Sequence, residues 1–177
     1  KTSYNQKFLS YYKPYLGLFM SVMICALIVS GIALIFPICI RYITKTVLED
    51  QLPNALNQIY ATGGLMVGLV VVQLLANYFV DYYGHAMGAM MESDLRAELF
   101  AHLQKLSFRF YDEQRTGQLM SRITNDLLNL AELFHHGPED YVIYSIKFIG
   151  ALIILANINF QLTLVILLFL PVMAVFG

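Results

Sequence analysis

Charge is what this chain has least of. Of 177 residues, 13% are Asp, Glu, Lys or Arg, against about 25% in a soluble domain. With 58% of residues hydrophobic, a soluble fold of this size has too little interior to hide them. Disorder, nucleic-acid binding and an ordinary cytosolic enzyme are excluded, and an integral membrane protein is left. Neither sign of charge dominates: eleven Lys and Arg face twelve Asp and Glu, so bulk charge names no partner. Cysteine is nearly absent. Cys25 and Cys39 are the two, and fourteen residues of helix would separate them by ~21 Å, too far for an intrahelical disulfide. They read as small buried apolar residues. Catalytic patterns are missing too. No Ser/His/Asp arrangement, paired-carboxylate site or zinc-ligand spacing stands out, and no Gly begins a G-x-x-x-x-G-K-[ST] phosphate loop. No catalytic residue, metal or cofactor is expected in this chain, and it is not expected to be an enzyme alone.

Three long stretches carry no charge: Pro14–Ile40, Gln51–Val80 and Phe148–Gly177. A crossing needs about 20 apolar residues. The first two stretches are single crossings. The third holds a polar knot, Asn157–Gln161, which reads as a turn between two crossings, the latter still apolar at Gly177. The chain is therefore expected to be a fragment of a longer protein. Eight of its eleven basic residues lie before the first crossing or between the second and third. The positive-inside rule puts that side, with the N-terminus, in the cytoplasm. Arg41 and Lys45 run against the rule and read as interfacial anchors beside Glu49 and Asp50. Residues 4–12 mix aromatic and basic residues, as in a short amphipathic helix lying on the inner surface.

Between Asp81 and Asp140 helical periodicity continues without a crossing. Leu95, Leu99, Leu103, Leu106 and Phe110 form one apolar stripe, and Leu119, Ile123, Leu127, Leu130 and Phe134 form another at the same spacings. The second crossing thus predicts a helix over 55–108, much longer than a bilayer is thick, and a second helix over 119–157 returns. The first crossing predicts a helix over 14–46, and a fourth begins near 161. The turn, Tyr111–Gly117, is polar; Asp112 suits a helix N-cap and Gly117 a chain reversal. Physics alone reads this tip as a solvated loop or as the end of a lever.

Four other features stand out. Lys147 lies ~16 Å before the outer turn along a straight helix, near mid-bilayer, where a charge is costly. It lines a substrate path, pairs with an acid from a missing helix or partner, or snorkels. Asp81, near the inner interface, suits a structural pair or cap. His135 and His136 invite a metal, but neighbours on a helix point about 100° apart; i,i+4 pairs with Glu139 and Asp140 are the expected reading. Gly64-x-x-x-Gly68 and Gly84-x-x-x-Gly88 permit close helix packing, a weak oligomer signal.

The run Phe110-Tyr111-Asp112-Glu113-Gln114-Arg115-Thr116-Gly117, continuing through Ser121-Arg122-Ile123-Thr124-Asn125-Asp126, resembles the first intracellular loop of exporter-type ABC transporters. The whole chain is similar to the N-terminal part of the transmembrane domain of a bacterial half-transporter. That resemblance implies an all-α membrane domain whose long helices extend into the cytoplasm, here cut within the fourth of six. In its terms residues 4–12 are the elbow helix, 111–118 the first coupling loop and 161–177 the start of the fourth helix.

It also implies a substrate pathway through the cell membrane, in an ATP-driven exporter that alternates between inward and outward openings. Glu113, Gln114, Arg115, Thr116 and Gly117 would couple to an ATP-binding domain of the same or a partner chain, which is absent here and would bring ATP and Mg2+. Further partners implied are the bilayer, a second half forming a homo- or heterodimer, and a small-molecule, lipid or peptide substrate. The alternative is a membrane anchor or regulatory module using the same fold without transport.

Overall fold

The structure, a computed structural model, describes residues 10–49, 54–113 and 115–176; the side chains of Glu113, Thr116 and 173–176 lie outside the description. Most of the expected elbow, 4–12, therefore falls outside the described residues, as does Gln114. Every element among the described residues is helical. A short 3-10 turn at Lys13–Tyr15 leads into α1, Leu16–Arg41, which loosens into a π-helical segment at Tyr42–Glu49. Helix α2 is Ala55–Leu103, and two short helices follow, α3 at Phe108–Glu113 and α4 at Thr116–Ser121. A π-helical segment, Arg122–Asp126, opens into α5, Leu127–Ile158, and α6 is Phe160–Phe176.

The helices at Lys13–Glu49, Ala55–Leu103 and Gly117–Ile158 are long and apolar enough to cross a membrane. In the last two, only 6% of the most apolar window is buried within the chain. A bare apolar surface of that extent is at home only against lipid or further helices.

Helix α2 runs 49 residues without a break, or ~73 Å at 1.5 Å per residue. It ends at Leu103 rather than near residue 108. Its last turn tightens through three-residue bonds, Lys105 N to His102 O and Leu106 N to Leu103 O, the usual way a helix end satisfies its final carbonyls. Ser107, a residue type that favours helix starts, immediately precedes α3. Tyr111 Oη donates to Leu103 O at 2.7 Å, pinning α3 to the end of α2.

Two compact units divide the chain: residues 1–26 with 75–141, and residues 27–74 with 142–177. In the first, the two predicted stripes meet. Met87, Met91 and Leu95 of α2 pack with Leu127 and Phe134 of α5 around Tyr12. Tyr12 is only 6% exposed, so this end of the predicted surface helix is packed into protein rather than laid on lipid headgroups.

Pro138 explains one of its contacts. Proline has no N–H for the carbonyl four residues earlier in a helix, here Phe134, and Tyr12 Oη donates to that carbonyl at 2.8 Å. Tyr11 and Tyr15 tie the same segment to α2 through Glu98 (2.7 Å) and Asp94 (2.6 Å). Burial, and then the bond to Glu98, push the Tyr11 phenol up to about 12. Burial takes Tyr12 to about 12 as well. Both hydroxyls therefore stay protonated donors.

In the second unit the polar knot is a one-residue joint. Helix α5 ends at Ile158 and α6 begins at Phe160. Asn159 Oδ1 accepts from Leu162 N at 3.1 Å, the N-cap geometry that lets a helix restart at once. Gly150 permits a close approach of α5 to α1: a Cβ there would overlap Leu34.

Candidate functional site

The tip at residues 108–121 is two short helices, not an open loop. Asp112 lies inside α3 and does not cap a helix; Arg115 takes the position before α4, with extended backbone (φ −79°, ψ 112°) and no side-chain cap bond. Gly117 is not a reversal point. It lies in the first turn of α4, no glycine among the described residues has positive φ, and a Cβ on Gly117 would meet nothing within 4 Å. The chain turns where the extended Arg115 separates two helices.

Arg115 and Gly117 are both exposed. Of the remaining tip residues, Glu113 and Thr116 are described by their backbone only, and Gln114 not at all. Sequence reading passed over Phe108, which is 90% exposed at the start of α3. Its signal was the stripe itself: Leu103, Leu106 and Phe110 keep helical spacing, and Phe108 falls off it.

Lys147 is half-buried on α5 in the second unit, far along the chain from the tip. It lines an apolar hollow of about 410 Å³ with Ala33, Leu34, Pro37, Ala151 and Ile154. Its Nζ lies 5.9 Å from the Tyr144 ring centroid, within cation–π range. Among the described residues no carboxylate pairs with it. The hollow and the Tyr144 ring accommodate the first and third of its readings, and an acid on a further helix or a partner stays open for the second.

The structure revises the histidine reading most. His135 stands 3.4 Å from Glu139 as expected, but His136 approaches Glu132 (3.4 Å) rather than Asp140. The neighbouring rings also do not diverge. Their centroids are 4.3 Å apart, and His85 of α2 closes on both, at 4.6 and 5.4 Å.

What seats His135 is the Gly84-x-x-x-Gly88 pair. A Cβ on Gly84 would overlap the His135 ring, and one on Gly88 would lie 3.4 Å from His135 Cβ. That glycine pair packs helices within the chain. Asp81, one turn before His85, is exposed and has no pair or cap among the described residues. Glu92 and Arg96 form an i,i+4 ion pair with the acid first, the favourable order on a helix.

Residues 18–177 match the family model of the ABC transporter transmembrane region. The chain belongs to that family. It is an all-α membrane domain of the exporter type and forms a membrane part of a transporter. It is 41% identical over 170 residues to the uncharacterized ABC transporter ATP-binding protein YwjA of Bacillus subtilis (strain 168), covering 94% of this chain and 28% of that protein.

YknV, another ABC transporter ATP-binding protein of the same strain, is 31% identical over 169 residues, again 94% of this chain and 28% of the relative. An ATP-dependent lipid A-core flippase of Idiomarina loihiensis is 29% identical over 175 residues, or 98% and 29%. The chain thus spans well under a third of the length of these relatives.

Proposed function

We propose that this chain forms part of the substrate pathway of an ATP-driven bacterial exporter, and that the end of its helical hairpin couples an ATP-binding domain to alternating access. The observation that carries the reading is the tip. Phe108 is 90% exposed at the end of a hairpin whose stripe residues are buried or half-buried, and exposed Arg115 stands between α3 and α4. An exposed aromatic and an exposed cation, at two short helices pinned by Tyr111 to a 49-residue helix, suit a joint gripped by another domain. In that joint Glu113, Gln114, Arg115, Thr116 and Gly117 meet the ATP-binding domain, on this chain or a partner, which holds ATP and Mg2+. The N-terminus is cytoplasmic, and two halves pair. Lys147 lines the pathway from its apolar hollow. The substrate class is a small molecule, lipid or peptide. The flippase among the relatives makes a lipid the first probe.

The test uses the full-length protein in lipid, with ATPase measured with and without candidate lipids and drugs. Arg115→Ala with Thr116→Ala, and separately Phe108→Ala, leave ATP binding intact and lower substrate stimulation relative to the basal rate. Gly117→Ala gives a sterically sharper version. It adds a methyl group into open space, so any loss of stimulation reports a partner pressed against the tip. Normal stimulation and transport in all of these variants would reduce the tip to a surface feature. A full-length protein that hydrolyses ATP but moves no substrate would favour the regulatory alternative.

A further inference from the structure

The hairpin carries a side-chain cluster that neither coupling nor the pathway uses. His85 on α2 and His135 and His136 on α5 each offer a ligand atom, and the three atoms lie within 4.8 Å of one another. His135 is 3% exposed. Neither of its ring nitrogens has a hydrogen-bond partner among the described residues, nor has Glu139 Oε2 beside it. Buried polar atoms are ordinarily satisfied; His135 Nδ1 and Glu139 Oε2 face each other at 3.4 Å without a hydrogen bond, and His135 Nε2 has no hydrogen-bond partner among the described residues, which is costly. The rings converge because Gly84 and Gly88 remove the side chains that would hold α5 away.

We propose that His85, His135 and His136 bind one transition-metal ion of the Zn2+ or Ni2+ type, which ties the two arms of the hairpin together. Three imidazoles suit these ions and not Mg2+ or Ca2+, which prefer oxygen. Zinc–nitrogen bonds of about 2.0–2.1 Å place tetrahedral ligand atoms ~3.4 Å apart, so separations of up to 4.8 Å must close by as much as ~1.4 Å. His85 is exposed and His136 half-exposed, and both rings have room to turn, while buried His135 is the fixed point. Glu139 and Glu132 stand 3.4 Å from the His135 and His136 rings. Carboxylates in that position orient metal-binding imidazoles and raise their basicity. A cavity of about 190 Å³, lined in part by His85, Glu92, Glu132 and His135, gives an ion access and leaves space for water at the fourth position. The adjacent-histidine geometry argued against a shared ion only while α2 was left out.

The proposal is independent of the coupling reading, and its test reads metal rather than transport. Full-length protein in lipid nanodiscs is stripped with a chelator and dialysed against Zn2+, and bound metal is measured by mass spectrometry against protein. Cobalt substitution then reports geometry through its visible absorption. The expected result is one Zn2+ per chain with affinity reduced at least about tenfold in His85→Ala and in His136→Ala, both outside the buried core. His102→Ala, a histidine outside the cluster, leaves binding unchanged, and Mg2+ does not compete. Zn2+ raises the unfolding temperature of the wild type but not of His85→Ala. Equal Zn2+ binding by the wild type and the His85→Ala, His136→Ala double variant would overturn the proposal. So would binding lost equally in His102→Ala.

Discussion

Replacing Gly84 by Ala puts one methyl group where the His135 ring sits, because the added Cβ would overlap that imidazole. The ring has little room to retreat: it is 3% exposed and wedged beside His85 and His136. Overpacking of this kind costs about 1–3 kcal/mol. The substitution also returns about 1 kcal/mol, because Ala is the better helix former. Gly88→Ala gains the same propensity but meets His135 Cβ only at 3.4 Å and the Ala131 carbonyl at 3.5 Å, close to ordinary contact. The propensity gain cancels between the two, so Gly84→Ala should be less stable than Gly88→Ala by about 1–3 kcal/mol, although both exchanges are identical on paper.

Thermal unfolding of the full-length protein in one detergent, both variants side by side, gives the ranking. A double-mutant comparison isolates the cause. In a His135→Ala background the ring is gone, the Gly84 methyl fills part of its place, and the penalty for Gly84→Ala should vanish. If Gly84→Ala matches Gly88→Ala, or its penalty survives in the His135→Ala background, the close approach of α2 and α5 at this point is wrong.

Tyr12→Phe removes the buried hydrogen bond to the Phe134 carbonyl that Pro138 cannot serve, and should cost about 0.5–1.5 kcal/mol. Tyr11→Phe, whose bond to Glu98 is exposed, should cost less in the same melting experiment. Lys147→Leu should leave folding nearly intact, since its surroundings are already apolar, while transport across a panel of substrates changes. Lys147→Arg should preserve transport if charge is what matters there, and unchanged transport in both variants would remove Lys147 from the pathway.

The membrane class, the helical architecture and the family were decided by one-dimensional features. Charge-free runs long enough for a bilayer can be satisfied only by helices, since no other single segment meets its own backbone hydrogen bonds in lipid. Two stripes at spacings of three and four can only be helix faces seeking each other, and Leu95, Leu127 and Phe134 do meet. The tip was legible as a polar signature. Its break into α3 and α4 was not, because the stripe continues to Phe110 while the backbone turns after Leu103; Tyr111 reaching back to that carbonyl is a tertiary event.

Two further arrangements depended wholly on tertiary structure. Tyr12 and Pro138 are 126 positions apart, and only folding brings a phenol to the carbonyl that proline left without its helical donor. Likewise, periodicity on one helix separates His135 from His136. The partner that draws them into a cluster, His85, comes from the other arm, and the two glycines that admit it have no side chains to advertise the contact.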